Sequence, residues 1–68
     1  MTQTITAEYL DGIREGRSML RQFPDTDPAA ALANVEATIR SGFPASSPVG
    51  QLLRGERDFW RGQLSRIR

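Results

Sequence analysis

The chain lacks three residue types that often carry chemistry in small proteins. None of its 68 residues is cysteine, histidine or lysine. Without cysteine and histidine there can be no disulfide, no zinc-finger site and no imidazole base. Without lysine, Walker-type phosphate loops and Schiff-base chemistry are excluded as well. The sequence therefore predicts no catalytic residue, no metal site and no cofactor, in a protein that is not an enzyme.

Long apolar runs are also missing. The sequence has no stretch of about eighteen apolar residues, and its start, MTQTITAEYL, lacks the basic and apolar regions of a secretion signal. We therefore expect a cytoplasmic protein. Residues 1–68 are expected to form a single domain that buries only about 60% of the surface exposed by its unfolded chain. Such a core is small, and association with another chain would enlarge it.

The net charge is small, but the charged residues are unevenly distributed. The net charge is +1, with −3 on residues 1–36 and +4 on residues 37–68, and all nine basic residues are arginine. This asymmetry favours head-to-tail association of copies or binding of an acidic partner through the basic half.

The apolar residues that are present recur at the spacing of an α-helix. Apolar periodicity and capping residues predict an all-α fold of three helices at about residues 7–22, 28–41 and 48–67. Thr6 is a good N-cap for the first helix, with Ile5 placed to pack on Leu10. The apolar stripe of this helix runs through Tyr9, Ile13, Leu20 and Phe23, and Pro24 should end it.

Two glycines interrupt the first helix. Gly12 and Gly16 each cost up to about 1 kcal/mol relative to alanine in a helix interior. Their spacing of four residues places them on one side of the helix. We therefore expect another helix to cross closely there, either within the fold or in a dimer.

The second helix has clear end signals. Asp27 is a good N-cap, Pro28 suits the first helical position, and Gly42 suits a left-handed residue after the last turn. Capping explains the aspartate pair at positions 25 and 27 better than catalysis does. Leu32, Val35 and Ile39 should bury one side of this helix. In the joint that follows, we expect Phe43 to fold back onto the core.

The third helix carries the widest apolar face. Ser47 is its predicted N-cap, and Pro48 suits its first position. The apolar members of the face are Val49, Leu52, Leu53, Phe59, Trp60, Leu64 and Ile67, with the polar Glu56 and Gln63 among them. A carboxylate on such a face is costly unless it is paired. Glu56 therefore predicts an arginine partner, Arg17, Arg21 or one from another copy, or else a seam open to solvent.

Arginines flank that face, at Arg54, Arg57, Arg61 and Arg68. Three interpretations are open: a solvated face beside core aromatics, a protein interface built on aromatic and arginine anchors, or a nucleic-acid surface. The near-neutral net charge disfavours nucleic acid, and the joint of residues 42–48 is too long for a helix-turn-helix. We expect a homodimer or partner interface at Leu53, Glu56, Arg57, Phe59, Trp60, Arg61, Gln63, Leu64 and Ile67.

The segment TAEYLDGIREGRSMLRQFPDTDPAAALANVEATIRSG, followed by RGERDFWRGQL, resembles a family of small temperate-phage proteins, the quorum-sensing anti-activators. The resemblance implies a helical homodimer that binds a LuxR-type transcription regulator of the infected bacterium and blocks its contact with DNA. It also implies a second partner, the assembly ATPase of type IV pili, whose inhibition limits superinfection. It assigns no individual binding residues.

If the target is a DNA-binding domain, the first helix is a candidate for contacting it. Its acidic side chains Glu8, Asp11 and Glu15 could then mimic phosphate charge. An acidic target would instead meet the arginines of the third helix. A small nucleic-acid-associated protein and a structural accessory subunit are the alternative functions.

Overall fold

A computed structural model describes residues 5 to 67, with side chains to residue 66. The described residues form three helices: α1 spans Ala7–Gln22, α2 spans Pro28–Arg40 and α3 spans Pro48–Ile67. The predicted all-α fold is confirmed, with α2 ending one residue earlier than expected. None of these helices is both long and apolar enough to span a membrane.

Each helix begins at the N-cap that the sequence predicted. The Tyr9 N–H donates to the Thr6 hydroxyl over 3.1 Å, and the Ala29 N–H donates to the Asp27 carboxylate over 3.0 Å. The Gly50 N–H donates to Ser47 Oγ over 2.9 Å. These bonds satisfy first-turn donors that have no partner inside the helix, so the starts of the helices are encoded locally.

The ends of the first two helices also follow local signals. α1 stops at Gln22, ahead of Pro24, because proline clashes with the preceding turn of a continuing helix. After α2, Gly42 adopts a φ of 133°, a region that a side chain disfavours. The chain therefore turns out of α2 at the glycine expected to end it.

α3 is the central helix of the fold. It packs against both α1 and α2, whereas the described parts of α1 and α2 do not pack against each other. Trp60 is only 2% exposed and Leu53 is also buried, and the Phe59 ring meets Trp60 edge-on with centroids 5.0 Å apart. Half-buried side chains complete this small core: Ile13, Leu20, Leu32, Val35, Ile39, Leu52 and Leu64.

Several apolar side chains expected in the core lie outside it. Phe23 is 62% exposed, and Phe43, Ile5 and Leu10 are exposed too. The expected folding back of Phe43 is therefore wrong, and the Ile5–Leu10 pair buries neither residue. The physical reason is the arrangement of the helices: α1 and α2 do not pack against each other, so neither of these helices covers the end of the other or the joint after α2.

Candidate binding surface

α1 and α3 pack closely where they cross. A Cβ placed on Gly12 would overlap the Leu52 carbonyl oxygen, and one placed on Gly55 would overlap the Tyr9 carbonyl oxygen and lie 3.1 Å from the Gly12 Cα. Backbone therefore touches backbone at this point, a geometry that only glycine allows. The close crossing predicted from Gly12 and Gly16 is confirmed, and it occurs within one chain.

The second glycine of α1 receives an aromatic ring. A Cβ on Gly16 would come within 2.6 Å of Phe59 Cδ2, so the ring occupies the space that a side chain would need. Phe59 is half-buried as a result. Most of this predicted interface residue is used inside the fold.

A polar cluster fixes the register of α1 on α3. The Tyr9 hydroxyl donates to Asp58 Oδ2 over 2.5 Å, and Arg57 Nε donates to Asp58 Oδ1 over 3.0 Å. Both bonds involve a charged group, which makes them stronger than neutral ones. Asp58 therefore ties the first turn of α1 to the middle of α3.

The pKa values of the cluster follow from these contacts. Burial alone would raise the pKa of the Asp58 carboxyl, but the hydrogen bonds from Tyr9 and Arg57 and the charges of Arg57 and Arg61 together hold it below its ordinary value. The bond to Asp58, followed by burial, raises the pKa of the Tyr9 hydroxyl. Asp58 is thus ionised and Tyr9 protonated at neutral pH.

The arginine row predicted on α3 is largely bound within the chain. Arg54 donates to the Phe43 carbonyl over 3.1 Å and to the Gly50 carbonyl over 2.9 Å. Arg61 reaches Glu36 on α2 over 3.3 Å, and Arg57 is paired with Asp58. Arg68 lies outside the described residues. Arg54 and Arg61 therefore join α3 to its surroundings, and Arg57 is paired within α3.

The apolar face of α3 divides between core and surface. Leu53 and Trp60 are buried in a single chain, so these two predicted interface residues belong to the core. Gln63 and Leu64 are half-buried, while Val49 is 51% exposed. The side chain of Ile67 lies outside those that the structure describes. The apolar surface of α3 that a partner can contact is therefore narrower than the sequence suggests.

A shallow acidic face lies along α1. It is an open depression of about 540 Å³ lined by Asp11, Arg14, Glu15, Ser18, Met19, Gln22, Phe23 and Leu52. Arg14 is held 3.6 Å from Asp11 in an exposed ion pair. The predicted acidic residues Asp11 and Glu15 thus share one surface with apolar side chains. Glu8 is half-buried and does not line this depression.

A second concave surface, which we call the α1–α2 groove, runs over α3 between the two helices that do not meet. It encloses about 260 Å³ and is lined by Gly16, Met19, Thr26, Asp27, Ala30, Ala31, Asn34, Val35, Glu56 and Trp60. Most of its surface is apolar, and Met19 belongs to both this groove and the acidic face.

Glu56 lies in the α1–α2 groove with no cation beside it. Among the described residues it forms no ion pair, so neither Arg17 nor Arg21 is the partner that the sequence suggested. Burial raises the pKa of its carboxyl, and the negative charge of Glu15 raises it further. Two of the predicted arrangements therefore remain for Glu56: pairing with an arginine from another chain, or a seam that is open to solvent.

Sequence reasoning did not identify the α1–α2 groove. Its α2 wall includes the small residues Ala30 and Ala31. In a sequence, an alanine-rich helix is compatible both with close packing against another helix and with one wall of a concave surface. Only the relative placement of α1 and α2 decides between these alternatives. The Tyr9–Asp58 bond, between residues 49 positions apart, gives no local signal at all.

Comparison with protein-family models, with curated proteins and with solved structures finds no significant match.

Proposed function

We propose that this chain is a stoichiometric inhibitor that binds a host protein through the acidic face of α1. The observation that carries the proposal is the grouping of Asp11 and Glu15 with exposed Met19 and Phe23 on one open surface. An apolar patch beside like charges suits a partner whose own patch is apolar and basic. The first candidate target is the DNA-binding domain of a LuxR-type quorum-sensing regulator, in line with the sequence resemblance.

The mechanism would be occlusion. A DNA-binding domain must expose basic side chains to phosphates, and acidic side chains in a matching position compete for them. The arginines bound within the chain on α3 make nucleic acid a weaker alternative. An inhibitor of this kind acts at a one-to-one ratio with its target.

The test is a mobility-shift titration of a purified LuxR-type regulator on its operator. We expect the chain to release the DNA at stoichiometric concentrations, and Phe23→Ala to weaken that release by tenfold or more. Phe43→Ala is the matched control, since Phe43 is also an exposed phenylalanine but lies outside the acidic face. Equal effects of both variants, or no release by the wild type, would reject the proposed target site.

The charge of the face is tested by a second matched pair. Glu15→Gln removes an acid from the acidic face, whereas Glu36→Gln removes one that is paired with Arg61 on the other side of the fold. We expect only Glu15→Gln to weaken inhibition and to reduce its salt dependence.

We propose further that the chain acts as a homodimer and that the assembly ATPase of type IV pili is a second target. The proposed dimer surface is the part of the apolar face of α3 that is not buried within a single chain. Sedimentation at tens of micromolar should show a dimer, and ATP hydrolysis by the purified ATPase should fall as the chain is added. A monomer at that concentration would contradict the first expectation, and unchanged hydrolysis the second.

A further inference from the structure

We propose that the α1–α2 groove binds one amphipathic helix of the target protein, with an arginine or lysine of that helix placed against the Glu56 carboxylate. The proposal rests on the proposed function, because it names which part of the target the inhibitor holds. It concerns a surface separate from most of the acidic face, so the two can fail independently.

The groove, of about 260 Å³, has room for side chains that project from one face of a helix lying across it. α1 and α2 both pack on α3 but not against each other, so the space between them is bounded on two sides by helices and below by a third. Gly16, Ala30 and Ala31 keep its walls low. Packed helices approach to an interaxial distance of about 8–10 Å, and small residues favour the lower end of that range.

The lining of the groove fits the apolar side of such a helix. Met19 and Val35 lie on opposite walls, and the edge of Trp60 forms part of the floor. Met19 is exposed in the free chain. Methionine adapts its shape to a partner surface, and burial of the exposed surface of Met19 and Val35 is the source of affinity in helix-in-groove recognition.

The acidic residues in the groove indicate which charge the partner helix carries. Glu56 is half-buried in the groove and has no ion-pair partner among the described residues, and Asp27 lines the same groove. No described arginine lines it, so the charges that a phosphate group or an acidic segment would meet there are repulsive. A cation from the partner helix would relieve the cost of the buried carboxylate, and the same pairing would select a basic helix over a neutral one.

The experiment is a selection from a displayed library of helical peptides of about 16 residues, with the purified full-length chain as bait. We expect the enriched peptides to share an apolar stripe interrupted by arginine or lysine at one fixed position. The same selection on Glu56→Gln should lose the basic preference, and peptides selected on the wild type should bind this variant roughly tenfold less tightly, as expected for a bond to a charged group.

The location of the peptide-binding site is tested by filling the α1–α2 groove with a large side chain. Ala30→Trp should abolish binding of the selected peptides, whereas Ala33→Trp, on the same helix but not in the groove, should not. Both alanines are exposed, and circular dichroism melts establish that each variant folds. If Ala30→Trp does not fold, Glu56→Gln alone decides the matter, because it keeps the size of the side chain.

The outcomes are distinct. An absence of enriched peptides, no basic preference, or equal selection on Glu56→Gln would each overturn the proposal. A wild-type dimer that Ala30→Trp abolishes would show that a second copy occupies the groove instead. If the regulator binds the wild type and both groove variants equally, the inhibitor function stands and the groove proposal falls. If basic peptides are selected but no LuxR-type regulator binds, the groove stands and that target is rejected.

Discussion

The two sides of α3 are held in different ways. On the α1 side, glycine backbones touch and a short Tyr9–Asp58 bond fixes the register. On the α2 side, contact is made by half-buried aliphatic side chains and by the exposed Glu36–Arg61 pair. We therefore expect α1 and α3 to behave as one rigid unit and α2, which has fewer constraints, to be looser. Since α2 forms one wall of the α1–α2 groove, its freedom sets the width of that groove.

The largest expected effect comes from the glycine crossing. Gly12→Ala places a methyl group against the Leu52 carbonyl, so we expect a loss of roughly 2–3 kcal/mol in the free energy of unfolding. Gly62 faces open space in the same structure, and Gly62→Ala should instead stabilise α3 by up to about 1 kcal/mol. Urea titration of the two variants measures both. Similar destabilisation by both would mean that the crossing is not tight.

A smaller effect is expected at the polar cluster. Tyr9→Phe removes the bond to Asp58 and should cost about 1 kcal/mol at neutral pH. The pKa of Asp58 is lowered in the folded state, so its contribution is present above the unfolded-state pKa and is lost as the pH falls through the folded-state value. The difference between wild type and Tyr9→Phe should therefore shrink in acid, as thermal melts between neutral pH and pH 2 can show.

Glu56→Gln should change stability in the opposite direction. Because burial and Glu15 raise the pKa of Glu56, ionisation is less favourable in the folded chain than in the unfolded one. The wild type therefore loses stability as the pH rises through the unfolded-state and folded-state values. Because the carboxyl is partly exposed and solvent screens its interactions, the variant should be more stable at neutral pH by no more than about 0.5 kcal/mol, and below the unfolded-state pKa the gain should vanish. Destabilisation at neutral pH would mean that Glu56 already has a cationic partner.

The smallest effect is expected at the tether between α2 and α3. Glu36 and Arg61 form an exposed pair, so Glu36→Gln should change the free energy of unfolding by less than about 0.5 kcal/mol. Amide hydrogen exchange is the more sensitive readout, with faster exchange expected in α2 and unchanged exchange in α1. Equal acceleration in both helices would argue against a separate, looser α2.

The sequence predicted local features well and long-range ones poorly. The caps at Thr6, Asp27 and Ser47 depend on neighbours a few residues away, so their signals are complete in the sequence. The crossing at Gly12 was predicted from its energetic cost, although its partner on α3 could not be named. The exposure of Phe23 and Phe43 was missed because periodicity places a side chain on a face without showing whether anything covers that face. Glu56 was recognised as unusual, but its surroundings depend on two helices that never touch.

One consequence of the central position of α3 concerns how the chain folds. Because α1 and α2 contact α3 but not each other, a chain that has not yet formed α3 offers neither of them a surface to pack on. Isolated helices of this length are marginal in water. Acquisition of structure should thus be a single cooperative event, initiated when α3 closes a long loop back onto α1. A peptide of residues 1–41 should accordingly be largely unstructured, however strong the capping signals that it contains.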